Sequence, residues 1–305
     1  MNSNRREFLA QTGLLALAAL PTARSAGASA AVASSPPAGL PADWRTLRKH
    51  DAHNHVFSAV NRPNADWSEV DAMVEAAAVL GIEKVCCSHP ITAGVLADIA
   101  AVRDANDSVL AAMKRYPDRI LGYCFVQPGN GPQALDEIER CLDAGMIGVK
   151  LYNQFKYTDP VIYPIAEKCI QRQILFLGHS AYITDERTLA LQPKTSNALD
   201  FCVLAQRYPE LKLILGHVNG GGDWEWAIKG LRECTNVYLD TSGSLIDDGT
   251  IELCVRELGH RRILFATDQT MEGCVGKILS AEITTEQRED IFWRNLQRLM
   301  TRRSA

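Results

Sequence analysis

Short apolar runs alternate with longer amphipathic stretches along the chain from residue 49 onward. We interpret the apolar runs as buried strands and the amphipathic stretches as helices, because these are the periodicities that the two elements require. The predicted strands cover residues 49–56, 82–88, 119–126, 146–152, 173–179, 211–218, 236–241 and 262–268. The predicted helices cover residues 68–80, 94–116, 132–144, 160–171, 195–208, 224–232, 249–258 and 284–301.

Eight strand–helix units follow one another within about 255 residues, the usual length of one α/β barrel. Because strands that alternate with helices form a parallel sheet, the pattern predicts an α/β fold. We expect a closed (β/α)8 barrel, or TIM barrel, that forms a single domain over residues 46–305. The alternative is an open doubly wound sheet, which would place a glycine-rich phosphate turn after an early strand. The sequence lacks such a turn there, and NGGGD at 219–223 is predicted to be a flexible loop.

The first 45 residues differ from the rest of the chain. Arg5 and Arg6 precede an apolar run at 14–20 that is too short to span a bilayer, and Ala-Ser-Ala at 28–30 fits a cleavage site. Residues 1–30 resemble a twin-arginine signal peptide, and residues 31–45 read as a linker. The resemblance implies the twin-arginine export machinery as a partner and an exported, periplasmic or secreted bacterial protein. The alternative is a tail that merely contains two arginines.

Charge and cysteine content narrow the classes of function. The formal net charge is −4 and the chain has no basic block outside its extreme N-terminus, which argues against nucleic acid as a partner. The nine cysteines include no C-x-x-C pair. We therefore expect mostly buried free thiols rather than a disulfide framework or a cysteine-based metal site. A small-molecule substrate is the expected partner, and the sequence also allows a homo-oligomer.

Histidine is concentrated where the first predicted strand ends, in HDAHNHVF at 50–57. His53 and His55 share one face of that strand, because side chains two residues apart point the same way. His179, His217 and Asp268 each follow apolar positions that alternation also predicts to face inward, which are Leu175 and Leu177, Leu213 and Leu215, and Leu264 and Ala266. Since the carboxyl ends of barrel strands meet at one mouth, these five side chains predict a common metal site. Nitrogen and oxygen ligands suit zinc, with manganese, iron or cobalt as alternatives.

This ordered set of motifs resembles the amidohydrolase superfamily. The segments DAHNH, LILGHVNG and ILFATD are most similar to its amidohydrolase-related branch, also called amidohydrolase family 2, over about residues 49–300. The resemblance implies that one divalent ion is bound by His53, His55, His179 and Asp268, with His217 beside it. In binuclear members a carbamylated lysine on the fourth strand bridges two metals, and Lys150 stands at the matching place. We favour an unmodified Lys150 that contacts an anionic substrate or an inner carboxylate.

The expected activity is that of a metal-dependent hydrolase. A bound ion lowers the pKa of its water to about 7, so that the water can attack a lactone, ester or amide carbonyl of a small organic acid. Asp268 would accept the proton, and His217 would help to polarise the carbonyl. The expected substrate pocket contains Tyr152, Asn153, Tyr182 and Trp224. Two alternatives are a metal-dependent, non-hydrolytic decarboxylase of a carboxylated aromatic compound and a barrel that binds a metal or ligand without catalysis.

Overall fold

The computed structural model describes residues 44–91, 94–218, 224–243 and 246–301, which belong to one compact unit. The predicted signal peptide at 1–30, nearly all of the linker at 31–45 and the NGGGD loop lie outside the described residues. Export and the linker therefore stay predictions. Within the described ranges, none of the helices combines the length and the apolarity that crossing a membrane requires.

Eight parallel strands form the sheet, and each corresponds to a predicted strand. They are β1 (Lys49–His55), β2 (Ile82–Ser88), β3 (Ile120–Phe125), β4 (Gly148–Leu151), β5 (Leu175–His179), β6 (Lys212–Gly216), β7 (Val237–Asp240) and β8 (Ile263–Leu264). They pair in sequence order from β1 to β8. The two edges meet through hydrogen bonds from Ala52 N to Phe265 O (2.9 Å) and from Asp268 N to His53 O (2.8 Å). The fold is therefore the predicted parallel barrel, nearly closed.

Helices flank the barrel and follow the predicted order, with two additions, and a π-helical turn at Asp290–Arg294 divides the last predicted helix, at 284–301, into two. They are α1 (Ser68–Val79), α2 (Ile99–Arg115), α3 (Pro132–Asp143), α4 (Tyr163–Arg172), α5 (Glu186–Leu191), α6 (Ala198–Arg207), α7 (Trp224–Gly230), α8 (Thr250–Leu258), α9 (Met271–Ser280), α10 (Thr285–Glu289) and α11 (Asn295–Met300). Helices α5 and α9 were not predicted. Two glycines weaken the helical pattern of α9, but burial of one apolar face stabilises the helix in the folded chain.

The apolar core consists of two layers, one inside the barrel and one between strands and helices. Leu175 and Leu177 face the interior as predicted, and so do Leu264 and Ala266. In β6 the prediction was wrong by one position. Ile214 faces the interior, whereas the expected Leu213 and Leu215 belong to the outer layer.

Most cysteines are buried free thiols, as expected. Seven are free and buried, whereas Cys202 and Cys234 form a disulfide with their Cα atoms 5.7 Å apart. Cys124 and Cys141 lie with Glu137 in a buried group that has the composition of a metal site. Its carboxylate already accepts hydrogen bonds from Arg140 at 2.7 and 2.8 Å, so the group is satisfied by protein donors.

A fully buried asparagine joins the third strand to two helices. Asn106 in α2 donates from Nδ2 to Phe125 O (3.0 Å) and Glu137 Oε1 (2.9 Å), and its Oδ1 accepts from Phe125 N (2.8 Å). Because Phe125 N and O are shielded from water, they depend on Asn106 for these hydrogen bonds, whereas Glu137 Oε1 also accepts from Arg140.

We predict that Asn106→Ala destabilises the protein by about 3 kcal/mol, since it leaves buried donors and acceptors without partners. Denaturant unfolding of both proteins measures the difference. Gln133→Ala, at an exposed position of α3, is the control and should change stability by less than about 0.5 kcal/mol. Equal effects of the two substitutions would contradict the structural role of Asn106.

Candidate active site

The end of β1 brings its two histidines to the mouth of the barrel, beside Asp268. His53 Nδ1 lies 2.7 Å from Asp240 Oδ2, which leaves Nε2 to face the barrel centre. His55 Nδ1 lies 3.0 Å from Ser88 Oγ, and its Nε2 is 2.9 Å from Asp268 Oδ1. Each imidazole is thus held through one ring nitrogen while the other points into the site.

His217 and Asp268 reach the site through unusual backbone conformations. Strand β6 ends at Gly216, and His217 follows with φ 74°, while Asp268 has φ 43°. A Cβ atom at Gly216 would lie 2.7 Å from Gly178 O and 3.2 Å from His53 Cε1, which shows that this position faces the interior of the barrel. Strand alternation alone would therefore not turn His217 inward. Left-handed backbone at residues other than glycine is strained, and such strain concentrates at functional sites.

His179 completes the group of predicted ligands at the end of β5. Its Nδ1 lies 3.0 Å from His217 Nε2. The Tyr152 ring stacks on the His179 imidazole with 4.1 Å between centroids. The structure thus brings together all five residues that the sequence assigned to the metal site.

Asp240, at the end of β7, is a site residue that the sequence analysis missed. Its Oδ2 binds His53, while its Oδ1 accepts hydrogen bonds from His217 N (2.8 Å), Ser242 N (3.0 Å) and Ser242 Oγ (2.6 Å). A signal was present, because Asp240 lies close to the end of the strand predicted at 236–241, as the other site residues lie close to the ends of theirs. Ser88 and Ser242 carried no comparable signal.

The donor set fits a divalent cation. Ligand atoms of His53, His55 and Asp268 lie within 4.8 Å of one another. Burial lowers the pKa of His53 to about 3 and also lowers the pKa values of His55 and His217. Burial raises the pKa of Asp268, but its hydrogen bond with His55 and the adjacent imidazoles outweigh this and hold the pKa far below normal. Neutral imidazoles and an ionised carboxylate are the forms that bind metal ions.

Lys150 is buried at the centre of this group. Its Nζ lies 2.6 Å from His53 Nε2, on the side that faces the site. Burial lowers the pKa of Lys150 to about 8, while the charges of Asp268 and Asp240 act in the opposite direction. The residue therefore supplies a primary amine at the metal site, in the place expected from the sequence.

A cavity of about 540 Å³ opens above these residues. Its volume is within the range of about 300–1,000 Å³ that is typical of small-molecule sites. Tyr152 and Tyr182 line it, together with His179, His217 and Asp268. The described lining does not include Asn153 and Trp224, which the sequence analysis had also placed there. The Asn153 side chain binds Gly94 N and Gln192 Oε1, and the Trp224 indole donates to Asp247 Oδ2.

Comparison with known proteins agrees with this architecture. A gamma-resorcylate decarboxylase from Polaromonas sp. is 26% identical over 317 residues, covering 83% of this chain and 97% of the relative. The 2,6-dihydroxybenzoate decarboxylase structure with bound 2,6-dihydroxybenzoate superposes with a TM-score of 0.65 at 21% identity, covering 83% of this chain and 98% of the other. The structure of a dihydroxybenzoic acid decarboxylase from Polaromonas sp., with bound manganese and 2-nitroresorcinol, superposes with a TM-score of 0.64 at 21% identity. The superposition covers 83% of this chain and 96% of the other.

A family model described as amidohydrolase matches residues 50–299, which include every side chain of the site. The match extends over the whole barrel and agrees with the resemblance seen in the strand-end motifs. The chain belongs to the amidohydrolase family.

Proposed function

We propose that this protein is a divalent-metal-dependent enzyme that decarboxylates a small hydroxylated aromatic acid without hydrolysis. The observation that carries the proposal is the similarity to a gamma-resorcylate decarboxylase over 97% of that relative's length. This similarity favours the decarboxylase alternative over the hydrolase that the motifs led us to expect. The cavity supports the proposal, because the rings of Tyr152 and Tyr182 offer apolar faces to an aromatic substrate.

We propose manganese rather than zinc as the bound ion. One decarboxylase structure of the same fold contains manganese, and imidazole and carboxylate ligands accept that ion. His53, His55 and Asp268 would hold it, with His179 as a fourth ligand. When bound, the ion supplies positive charge that orients the carboxylate and hydroxyl oxygens of the substrate and stabilises negative charge developing there.

The residues at the mouth can carry out the proton transfers of this reaction. Asp268 is ionised at neutral pH, so it can take the proton of a substrate hydroxyl and pass it to the ring carbon that bears the carboxylate. The bond between that carbon and the carboxylate then breaks, its electron pair restores the aromatic ring, and carbon dioxide leaves. The oxygen that lost its proton regains one from water. His217 Nδ1 lies 3.6 Å from Asp268 Oδ2 and helps to position this carboxylate.

Lys150 supports the same reaction as an unmodified amine. Its Nζ lies beside His53 and close enough to Asp268 and Asp240 for their charges to act on it. A cationic amine there would attract the substrate carboxylate into the site. We propose this role rather than a carbamylated lysine that bridges two ions.

The proposal is tested by the products formed from 2,6-dihydroxybenzoate in D2O. We expect the manganese-loaded protein to release carbon dioxide and to give 1,3-dihydroxybenzene with one deuterium at the carbon that carried the carboxylate. Mass spectrometry and NMR measure both products. Parallel reactions with a panel of esters, lactones and amides in H2¹⁸O test the hydrolase. Incorporation of ¹⁸O into a product acid, without carbon dioxide release from any hydroxybenzoate, would instead establish hydrolysis.

Asp268→Asn should lower kcat by at least about 10³-fold, because the amide can neither take nor deliver the proton. The control is Asp98→Asn, which makes the same substitution at the N-cap of α2. Asn caps a helix as well as Asp does, so this control should keep kcat within about twofold. A measurable kcat for Asp268→Asn close to that of the wild type would remove Asp268 from the proton transfer.

Removal of divalent ions with a chelator should abolish activity, and added manganese should restore it. Because Lys150 is proposed to be unmodified, restored activity should level off at one ion per chain, measured by elemental analysis alongside rate. Two ions per chain at full activity would instead indicate a carbamylated Lys150.

A further inference from the structure

Asp240 contacts two histidines of the site by different routes. It binds His53 directly, and it reaches His217 through the hydroxyl of Ser242, whose Oγ lies 2.6 Å from Asp240 Oδ1 and 2.9 Å from His217 Nδ1. All of these groups are buried. Neither Asp240 nor Ser242 belongs to the predicted ligands, so their arrangement calls for a separate explanation.

The direction of these hydrogen bonds follows from counting protons. Asp240 Oδ1 already accepts from two backbone N–H groups, those of His217 and Ser242, and therefore acts as an acceptor. The short contact with Ser242 Oγ must then contain the proton of the serine hydroxyl. With its only proton given to Asp240, Ser242 can only accept from His217. The Nδ1 atom of His217 therefore carries a proton, and its Nε2 is the unprotonated nitrogen of the neutral ring.

The same count extends to His179. Its Nδ1 lies 3.0 Å from His217 Nε2, and one of these two atoms must supply a proton. Since His217 Nε2 has none, His179 Nδ1 carries it, which leaves Nε2 of His179 unprotonated. His53 gives the same result more directly, because its Nδ1 donates to Asp240 and its Nε2 is free of hydrogen.

We infer that Asp240 and Ser242 are positioning residues that fix the tautomers of three site histidines. One carboxylate thereby leaves the Nε2 atom of His53 unprotonated, which is the form needed to bind a cation, and through His217 it determines which nitrogen of His179 is unprotonated. The relay runs from Asp240 through Ser242 to His217 and then to His179. This inference rests on the metal site of the proposed function but not on its substrate.

The full chain labelled with ¹⁵N-histidine tests the relay without any substrate. Long-range ¹H–¹⁵N spectra of the metal-free protein should show His53, His179 and His217 as Nδ1–H tautomers, assigned by single His→Gln substitutions. In Ser242→Ala, His217 should lose this preference and populate the Nε2–H form. The dissociation constant for manganese, measured by competition with a chromophoric chelator, should rise about tenfold.

Two variants separate the relay from a general loss of structure. Ser242→Thr keeps a hydroxyl and should bind manganese within about threefold of the wild type. Thr241→Val removes the neighbouring hydroxyl, which bonds to the backbone of Ala266, and should leave both the tautomers and the affinity unchanged. The spectra of this variant also show whether the segment tolerates the loss of a buried hydroxyl.

An Nε2–H tautomer of His217 in the wild type would overturn the inference. So would a Ser242→Ala protein whose manganese affinity equals that of Thr241→Val. If the wild type bound no manganese at all, the proposed metal dependence would fail, while the histidine spectra would still decide the relay. A failed decarboxylation assay with intact tautomers and metal affinity would count against the proposed substrate alone.

Discussion

The site depends on the contact that joins the first strand to the segment after the last. Asp268 N donates to His53 O, and in the same region Asp51 accepts from Thr267 N (2.9 Å) and Asn54 Nδ2 (2.9 Å). The bonds from Asp268 to His53 and from Thr267 to Asp51 connect residues more than 200 positions apart in the chain. Because they close the sheet, the carboxylate of Asp268 is placed beside the imidazoles of β1. Without this closure the proposed ligands would lie on opposite edges of an open sheet.

The sequence predicted the strands well because each is buried and bounded by turns. It also placed His53 and His55 correctly, since both lie within one regular strand where alternation holds. His217 was assigned to the site for the wrong geometric reason. Leu213 and Leu215, which alternation places on the same face as His217, point outward, and only the left-handed backbone of His217 itself turns its imidazole into the mouth. A period-two pattern carries no information about such a turn.

Other parts of the site could not be predicted because they depend on contacts between distant elements. Asp240 stands near a strand end, but a single aspartate there is common, so its role becomes specific only through the contacts of its carboxylate with His53 and Ser242. Asn153 and Trp224 were expected to line the substrate pocket, but their side chains form hydrogen bonds with residues elsewhere in the chain instead. The motifs also could not distinguish hydrolysis from decarboxylation. Both reactions use a metal at the same mouth of the barrel and differ in how the substrate is presented to it.

The left-handed backbone at His217 and Asp268 has a consequence for how this mouth can evolve. Branched residues such as valine or isoleucine are excluded there by their own Cβ atoms, whereas glycine and asparagine fit the conformation with less strain. Replacing either residue by glycine would relax the main chain while removing the imidazole or carboxylate. At these two positions, a substitution that raises the stability of the fold therefore removes a side chain that the proposed reaction needs. Selection for stability and selection for activity act in opposite directions there.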